Sequence, residues 1–387
     1  MTDTPLDIGV LGYRFMGKAH ANAFARLPMF FEDAPEVNRE VVVGRDEDAL
    51  ADAADRLGFA RTATDWRDVV DEVDVFYNLG PNHVHAEPSI AALEAGTPTF
   101  CEKPLAPTLD DAQAMADAAS DASVPAGVAF NYRFVPAIQY AKNLIEAGEL
   151  GELHHFRGRY LQDWLVDPEA PWSWRNDAEM AGSGALGDLG AHTIDLARFL
   201  VGDIAEVSGH LRTFVDERPV EGSETPEESR ENEGGEAAES EEETRPVTVD
   251  DAYSAQVDFE NGVMGTLEAS RFANGRKNDH TIEIEGSKGS LRFSLERLNE
   301  LELLREDSRG YETILVTDAD DPYVDHWWPP GHVIGWEHTF VHENYEFLSA
   351  VAEGGAYEPS FADGLAVQRV LDAVERSDER GERVSVR

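Results

Sequence analysis

The residues most able to do chemistry lie in one run, Gly184-Ala-Leu-Gly-Asp188-Leu-Gly-Ala-His192-Thr-Ile-Asp195. On a helix, Asp188 and His192 fall one turn apart on one face, and Asp195 follows three residues later on that face. A carboxylate beside an imidazole is how a protein builds a general base near neutral pH. The glycines at 184, 187 and 190 each cost a helix roughly 1 kcal/mol against alanine, so something is expected to approach this backbone closely. Taken alone, the run also reads as a helix start with an incidental histidine.

A second group gives the first reading weight. Asn78-Leu-Gly-Pro81-Asn82-His83-Val-His85 and Cys101-Glu102-Lys103-Pro104 both follow apolar, strand-like segments. In open α/β sheets ligands bind in the crevice beyond the C-terminal ends of such strands. The chain has only five lysines, so a lysine at such a strand end is more than a surface residue at a turn. Cys101 reads as core.

The elements that must hold these groups follow from periodicity. Strand-like segments at 7–11, 40–43, 74–79, 99–101 and 126–130 alternate with helix-like ones at 19–27, 48–57, 88–95 and 110–119. Repeated βα units with short connections imply a parallel, doubly wound sheet. Its first turn, Gly9-Val-Leu-Gly12-Tyr-Arg14-Phe15-Met16-Gly17, fits the first and third glycines of the dinucleotide fingerprint, with Arg14 in place of the middle one. Arg14 either offers its guanidinium to a phosphate or points away and weakens binding. The second strand ends at Arg45-Asp46. Arg45 suits a 2′-phosphate and Asp46 suits ribose hydroxyls, so NAD and NADP both remain open.

The second half changes character. After a helix near 137–147, strands dominate at 154–160, 206–214, 251–259, 263–271, 280–285 and 289–293, with hairpin signals such as Glu260-Asn261-Gly262. The expected architecture is a Rossmann-type domain over 1–130 and an α+β domain over 131–387 with a large, mostly antiparallel sheet. An acidic insert at 216–246 interrupts it. Asp216 to Thr244 carries thirteen Asp/Glu and almost no apolar side chains, so a disordered surface loop is expected there, with a long hairpin extension as the alternative.

Bulk properties narrow the class. The formal net charge is −45 over 387 residues, which disfavours nucleic acid and anionic membranes as partners. It suits a protein adapted to high salt, where the Debye length falls to about 3 Å at 1 M. One cysteine excludes an internal disulfide framework. No signal-like or membrane-length apolar stretch is visible, so a soluble, cytoplasmic protein is expected.

The combination resembles the glucose–fructose oxidoreductase / inositol dehydrogenase (Gfo/Idh/MocA) family. The matching features are Met16-Gly17 with Ala19-His20, Pro81-Asn82 with His85, Glu102-Lys103-Pro104, Asn131-Tyr-Arg-Phe134, the 184–195 run and the tail Pro359-Ser360-Phe361 to Asp363-Gly364. The resemblance implies hydride transfer between a sugar or cyclitol hydroxyl and NAD or NADP. It makes Lys103, Asp188 and His192 catalytic, and gives the glycines of the run a cause, a helix start close to substrate and nicotinamide. Gly12, Arg14, Phe15, Met16, Gly17, Arg45, Asp46, Pro81, Asn82, His85, Glu102 and Lys103 are the expected cofactor contacts. Lys103, Asn131, Arg133, Tyr160, Trp172, Trp174, Arg175, Asp188 and His192 are the expected substrate contacts. The aromatic ones are equally able to be packing residues. His338 and His342 have i,i+4 spacing but no evident third ligand, so no metal is expected. The resemblance further implies a homo-oligomer, dimer or tetramer. A catalytically silent sugar or cofactor sensor on the same fold is the rival reading, and the joint presence of Lys103, Asp188 and His192 argues against it.

Overall fold

The computed structural model describes residues 4–220 and 243–386. The N-terminal sheet has six parallel strands, β1 (Leu6–Leu11), β2 (Val37–Val43), β3 (Arg61–Ala63), β4 (Val75–Asn78), β5 (Thr99–Cys101) and β6 (Ala126–Val128), in the order β3-β2-β1-β4-β5-β6. The central strands are apolar on both faces because helices cover both: α1 (Phe15–Phe30), α2 (Glu47–Leu57), α3 (Ala86–Ala95) and α4 (Leu109–Asp121). Local chemistry sets the helix ends. Asp46 caps α2, accepting from the Ala49 amide at 3.1 Å, and left-handed Gly58 ends it. Strand order reverses between β1 and β4, which opens a crevice at their C-terminal ends.

The second sheet has nine strands. After α5 (Pro136–Glu146) come β7 (Leu153–Leu161), the short α6 (Ala178–Ala181), α7 (Ala191–Leu200) and β8 (Ile204–Arg212). Then follow β9 (Glu217–Pro219) and β10 (Thr244–Pro246), which stand outside the large sheet, and β11 (Ala252–Phe259), β12 (Met264–Ser270), β13 (Asp279–Gly286), β14 (Ser290–Ser294), β15 (Glu300–Leu304) and β16 (Glu312–Leu315). With the terminal β17 (Val384–Ser385), the order is β16-β15-β14-β13-β7-β12-β11-β8-β17. Among the described residues of this sheet only β7 and β12 pair in parallel; the Asn261-Gly262 turn makes β11 and β12 a hairpin as expected. α5 and α7 lie on one face of this sheet. The chain then returns: α8 (His338–Glu353) packs on α1, and α9 (Phe361–Arg380) on α4 and β8, with Ser360 bridged to Gly127 of β6. The crevice is therefore walled from both halves of the chain.

The acidic insert needs a correction at its ends. β9 and β10 form a two-stranded antiparallel ribbon. Arg218 anchors it, fully buried, donating to the carbonyl oxygens of Leu165 at 2.8 Å and Asp167 at 2.9 Å. Both terminal nitrogens of this guanidinium donate to backbone carbonyls, and that ties down a segment whose composition alone argues for disorder. Residues 221–242 of the expected loop lie outside the described residues.

Candidate active site

The glycine turn closes the end of β1. Gly12 adopts φ +104°, donates to the Val43 carbonyl at 3.0 Å, and leaves no room for a Cβ against the Leu79 backbone. Gly17 lies against the Gly12 carbonyl. Arg14 stands at the N-cap of α1 with its side chain exposed. No side chain caps this helix, and no acidic residue stands in its first turn. The first-turn amides, Phe15 and Met16 among them, remain available, which fits the diphosphate of a dinucleotide. Phe15 is 66 % exposed and stacks on Trp336 at 5.6 Å. Arg45 and Asp46 are both exposed at the end of β2, where the Asp46 carboxylate serves first as the cap of α2.

Several expected cofactor contacts hold the protein together instead. His85 is buried with Nδ1 3.0 Å from the Pro104 carbonyl and Nε2 3.0 Å from the Gly80 carbonyl, tying the β4 and β5 loops. Asn82 donates its amide to Ala181 at 2.8 Å, a clasp to the second half of the chain. Glu102 is buried, 3.4 Å from His20 Nε2, and accepts from the Lys103 amide at 3.2 Å. Pro81 caps a short turn over Asn82–Val84. The reason is common to them: buried polar atoms take protein partners. Asn78, at the end of β4, shapes the same loop by donating to the carbonyls of Val84 and His85 and to Ser89. Cys101 is free and fully buried.

Across the crevice, the 184–195 run begins as a π-helical turn at Leu186–Gly190 and continues as α7. Such turns cluster at functional sites. Asp250 fixes its entry, accepting from the amides of Gly184 at 2.7 Å and Leu186 at 2.8 Å. A Cβ at Gly184 would collide with the Asp250 carbonyl, one at Gly187 would meet the Ser183 hydroxyl, and one at Gly190 would meet the Tyr253 ring. The close approach expected of substrate and nicotinamide is thus made by the protein itself.

Lys103 reaches this turn. Its Nζ donates to the Asp188 carbonyl at 2.8 Å and to Asp188 Oδ1 at 3.2 Å. The Asp188 side chain keeps 31 % exposure. Burial works to raise its pKa, but Lys103, Arg271 and Arg175 outweigh that and hold it below the ordinary aspartate value. His192 is buried, 4.5 Å from the Tyr132 ring. Burial first, then the charges of Lys103 and His280, push its pKa well below the ordinary value, so it is neutral at pH 7. Nδ1 is buried without a partner among the described residues, which leaves Nε2 as the nitrogen able to meet a substrate. Asp188 does not hydrogen-bond to His192 as its place on the same face suggested. The ammonium of Lys103 takes the carboxylate.

The expected substrate residues divide. Arg175 lies over the Trp174 ring at 4.5 Å, and its charge reaches Asp188. Arg133 is buried and paired twice with Asp195, at 2.6 and 2.9 Å, so it is not free for substrate. Asn131 donates to Thr339 at 2.8 Å. Tyr160 is buried, bonded to Asn278 at 2.7 Å and to the Tyr132 hydroxyl at 2.8 Å. Trp172 binds the ribbon, through its amide to Pro219 and its indole to Pro246. The i,i+4 histidines are also spoken for: His342 accepts from the Trp327 indole at 2.8 Å and faces the Phe134 carbonyl, and His338 faces the Gly335 amide. Among the described residues no cluster of three or more potential metal ligands occurs.

Sequence reasoning missed Trp336, His280, Asn278 and Asp250 as parts of this site. Each lies more than 50 residues from the 184–195 run, and no local spacing marks it. Tyr132 lies within the Asn131–Phe134 motif, where neither its type nor its spacing marks it as a site residue.

A parallel sheet whose reversal point carries an uncapped glycine-turn helix, facing a lysine, a carboxylate and an imidazole, is the construction of a nicotinamide-dependent oxidoreductase. Family models match in two stretches. Residues 6–130 match the oxidoreductase family with NAD-binding Rossmann fold, and residues 138–292 match the GFO/IDH/MocA C-terminal domain. The chain belongs to the Gfo/Idh/MocA family. It is 43 % identical over 382 residues to levoglucosan dehydrogenase of Pseudarthrobacter phenanthrenivorans, covering 96 % of each chain. Levoglucosan dehydrogenase solved with NADH and L-sorbose superposes with a TM-score of 0.92 at 42 % identity, over 99 % of each chain. An oxidoreductase domain protein from Kribbella flavida gives 0.91 at 47 % identity, over 99 % of this chain and 100 % of that one. The chain is accordingly a nicotinamide-dependent dehydrogenase acting on CH–OH groups.

Proposed function

We propose that the substrate is a sugar of the levoglucosan type, oxidised at a ring hydroxyl with Lys103, Asp188 and His192 as the catalytic residues. The observation that carries the residue roles is the Lys103–Asp188 contact across the crevice, beside a neutral His192 with one free ring nitrogen. The substrate class rests on identity to a levoglucosan dehydrogenase along almost the whole chain.

A dinucleotide held by the glycine turn and the free amides at the start of α1 would supply the hydride acceptor for the carbinol carbon. His192 Nε2 takes the hydroxyl proton, and its neutral state at pH 7 makes it competent to do so. Lys103 uses its remaining N–H to stabilise the oxygen as negative charge develops there. Asp188 holds the ammonium in place through two acceptors, and its exposed edge is available to a second substrate hydroxyl. Tyr132, backed by Tyr160 and Asn278, walls the imidazole. Exposed Arg45 favours use of NADP alongside NAD. The acidic composition suits a high-salt cytoplasm, and a homo-oligomer is the proposed assembly; no helix among the described residues is long and apolar enough to cross a membrane.

The test is a screen of levoglucosan, cyclitols and aldoses with each cofactor in high salt, read by the absorbance of reduced nicotinamide. Turnover highest on levoglucosan supports the assignment. Turnover on cyclitols or open aldoses alone rejects it.

A further inference from the structure

A histidine that takes a proton at Nε2 must carry its own hydrogen on Nδ1, and that N–H needs an acceptor. Carboxylates commonly fill this role. Here neither nearby carboxylate does: Asp188 is held by Lys103, and Asp195 by Arg133. His192 Nδ1 is buried with no partner among the described residues.

One other buried imidazole in the same pocket has the same deficit. His280, on β13, is fully buried and its Nδ1 also lacks a partner. The two histidines share their walls. Tyr132 lies 4.5 Å from the His192 ring and 5.5 Å from the His280 ring; Tyr160 lies 6.0 Å from the first and stacks on the second at 4.5 Å. The other nitrogen of His280, Nε2, is 3.1 Å from the hydroxyl of Thr193, the residue after His192. Two orphaned ring nitrogens in one polar pocket are the partners a single buried water requires.

We propose that His280 is a positioning residue for His192: through one bridging water, His280 Nδ1 accepts the hydrogen bond of His192 Nδ1–H, while His280 Nε2–H donates to Thr193. This fixes the His192 tautomer that leaves Nε2 free, and it rests on the assignment of His192 as the base. His280 is suited to accepting a hydrogen bond without taking the proton, because burial lowers its pKa to about 3. The charged and titratable groups facing the pair are Lys103, Asp188, Tyr132 and Tyr160. Burial raises the pKa of both tyrosines, so they stay neutral.

The test compares His280→Phe, which removes the acceptor, with His280→Asn, which keeps a polar atom near the Nδ1 position. The His192 tautomer is read by nitrogen NMR, and kcat and KM are read as functions of pH. Wild type is expected to show His192 protonated at Nδ1. His280→Phe should mix the tautomers and lower kcat on the order of 10-fold with little change in KM, a part of the whole contribution of a base. His280→Asn should recover most of both. A wild-type His192 protonated at Nε2 overturns the proposal without any variant, and so does His280→Phe with unchanged tautomer and kcat. His192→Asn separates the two ideas: full activity in that variant removes the base assignment itself.

Discussion

Lys103 and Asp188 are joined twice, through the carboxylate and through the main-chain carbonyl of the same residue. The second contact matters because a carbonyl cannot rotate away or take up a proton. It pins the ammonium to the π-helical turn, and with it the end of β5 to the start of α7.

Lys103→Met should lower kcat by at least about 10²-fold, the scale of lost electrostatic help. Its pH profile should move as well. The Lys103 charge is one cause of the low His192 pKa. Removing it raises that pKa, so on acidification the proton-accepting imidazole is lost at higher pH. Steady-state kinetics across pH checks both; undiminished turnover would sink the role of Lys103.

Arg133→Met is expected to behave as a stability mutant. It leaves Asp195, which is 1 % exposed, as an uncompensated buried charge, at a cost of about 3–5 kcal/mol. Denaturant unfolding should show the loss. A selective rise in KM at wild-type stability would return Arg133 to the substrate site.

Glu343, on α8, is fully buried and both carboxylate oxygens lack a partner among the described residues. Burial, then repulsion from Glu102, raises its pKa well above the ordinary 4.5. The folded state holds a proton that the unfolded state releases, so its cost grows as pH rises above 4.5. Glu343→Gln should raise Tm by an amount negligible near pH 4.5 and larger towards pH 8. The buried histidines act in the opposite sense. His280 and His342 fall to about 3 in the fold against 6.5 when unfolded, so both proteins should lose stability as pH drops below 6.5. A pH series of thermal melts separates the two effects.

At the end of β2, where Arg45 is exposed and Asp46 caps α2, the proposed use of NADP predicts that Arg45→Ala weakens NADP more than NAD. Cofactor titrations by fluorescence check it, and equal losses for both cofactors would count against a phosphate contact.

A net charge of −45 makes self-repulsion the dominant long-range term in dilute buffer, and salt near 1 M confines it to about 3 Å. Tm and activity should both rise from low salt towards molar concentrations. Flat dependence would remove the high-salt reading.

What is local and periodic is legible in the residues alone. Alternating apolar runs specify the parallel sheet, Gly12 and Gly17 specify the turn that opens α1, and the strand end at Glu102-Lys103 specifies where a ligand group should stand. These follow from backbone sterics and from burial within a few residues. Pairing across the crevice was decided only in the folded chain. Asp188 has His192 as its helical neighbour, yet it binds Lys103 from 85 residues away. Arg133 reads as a substrate contact and is instead neutralised by Asp195. Gly184, Gly187 and Gly190 make room for Asp250, Ser183 and Tyr253, all outside the run's own helix. His280 enters the pocket on a strand with no motif of its own. A short-range pattern states which groups a segment can offer. Which partner each group takes depends on desolvation and competing charges, and those exist only once distant segments are brought together.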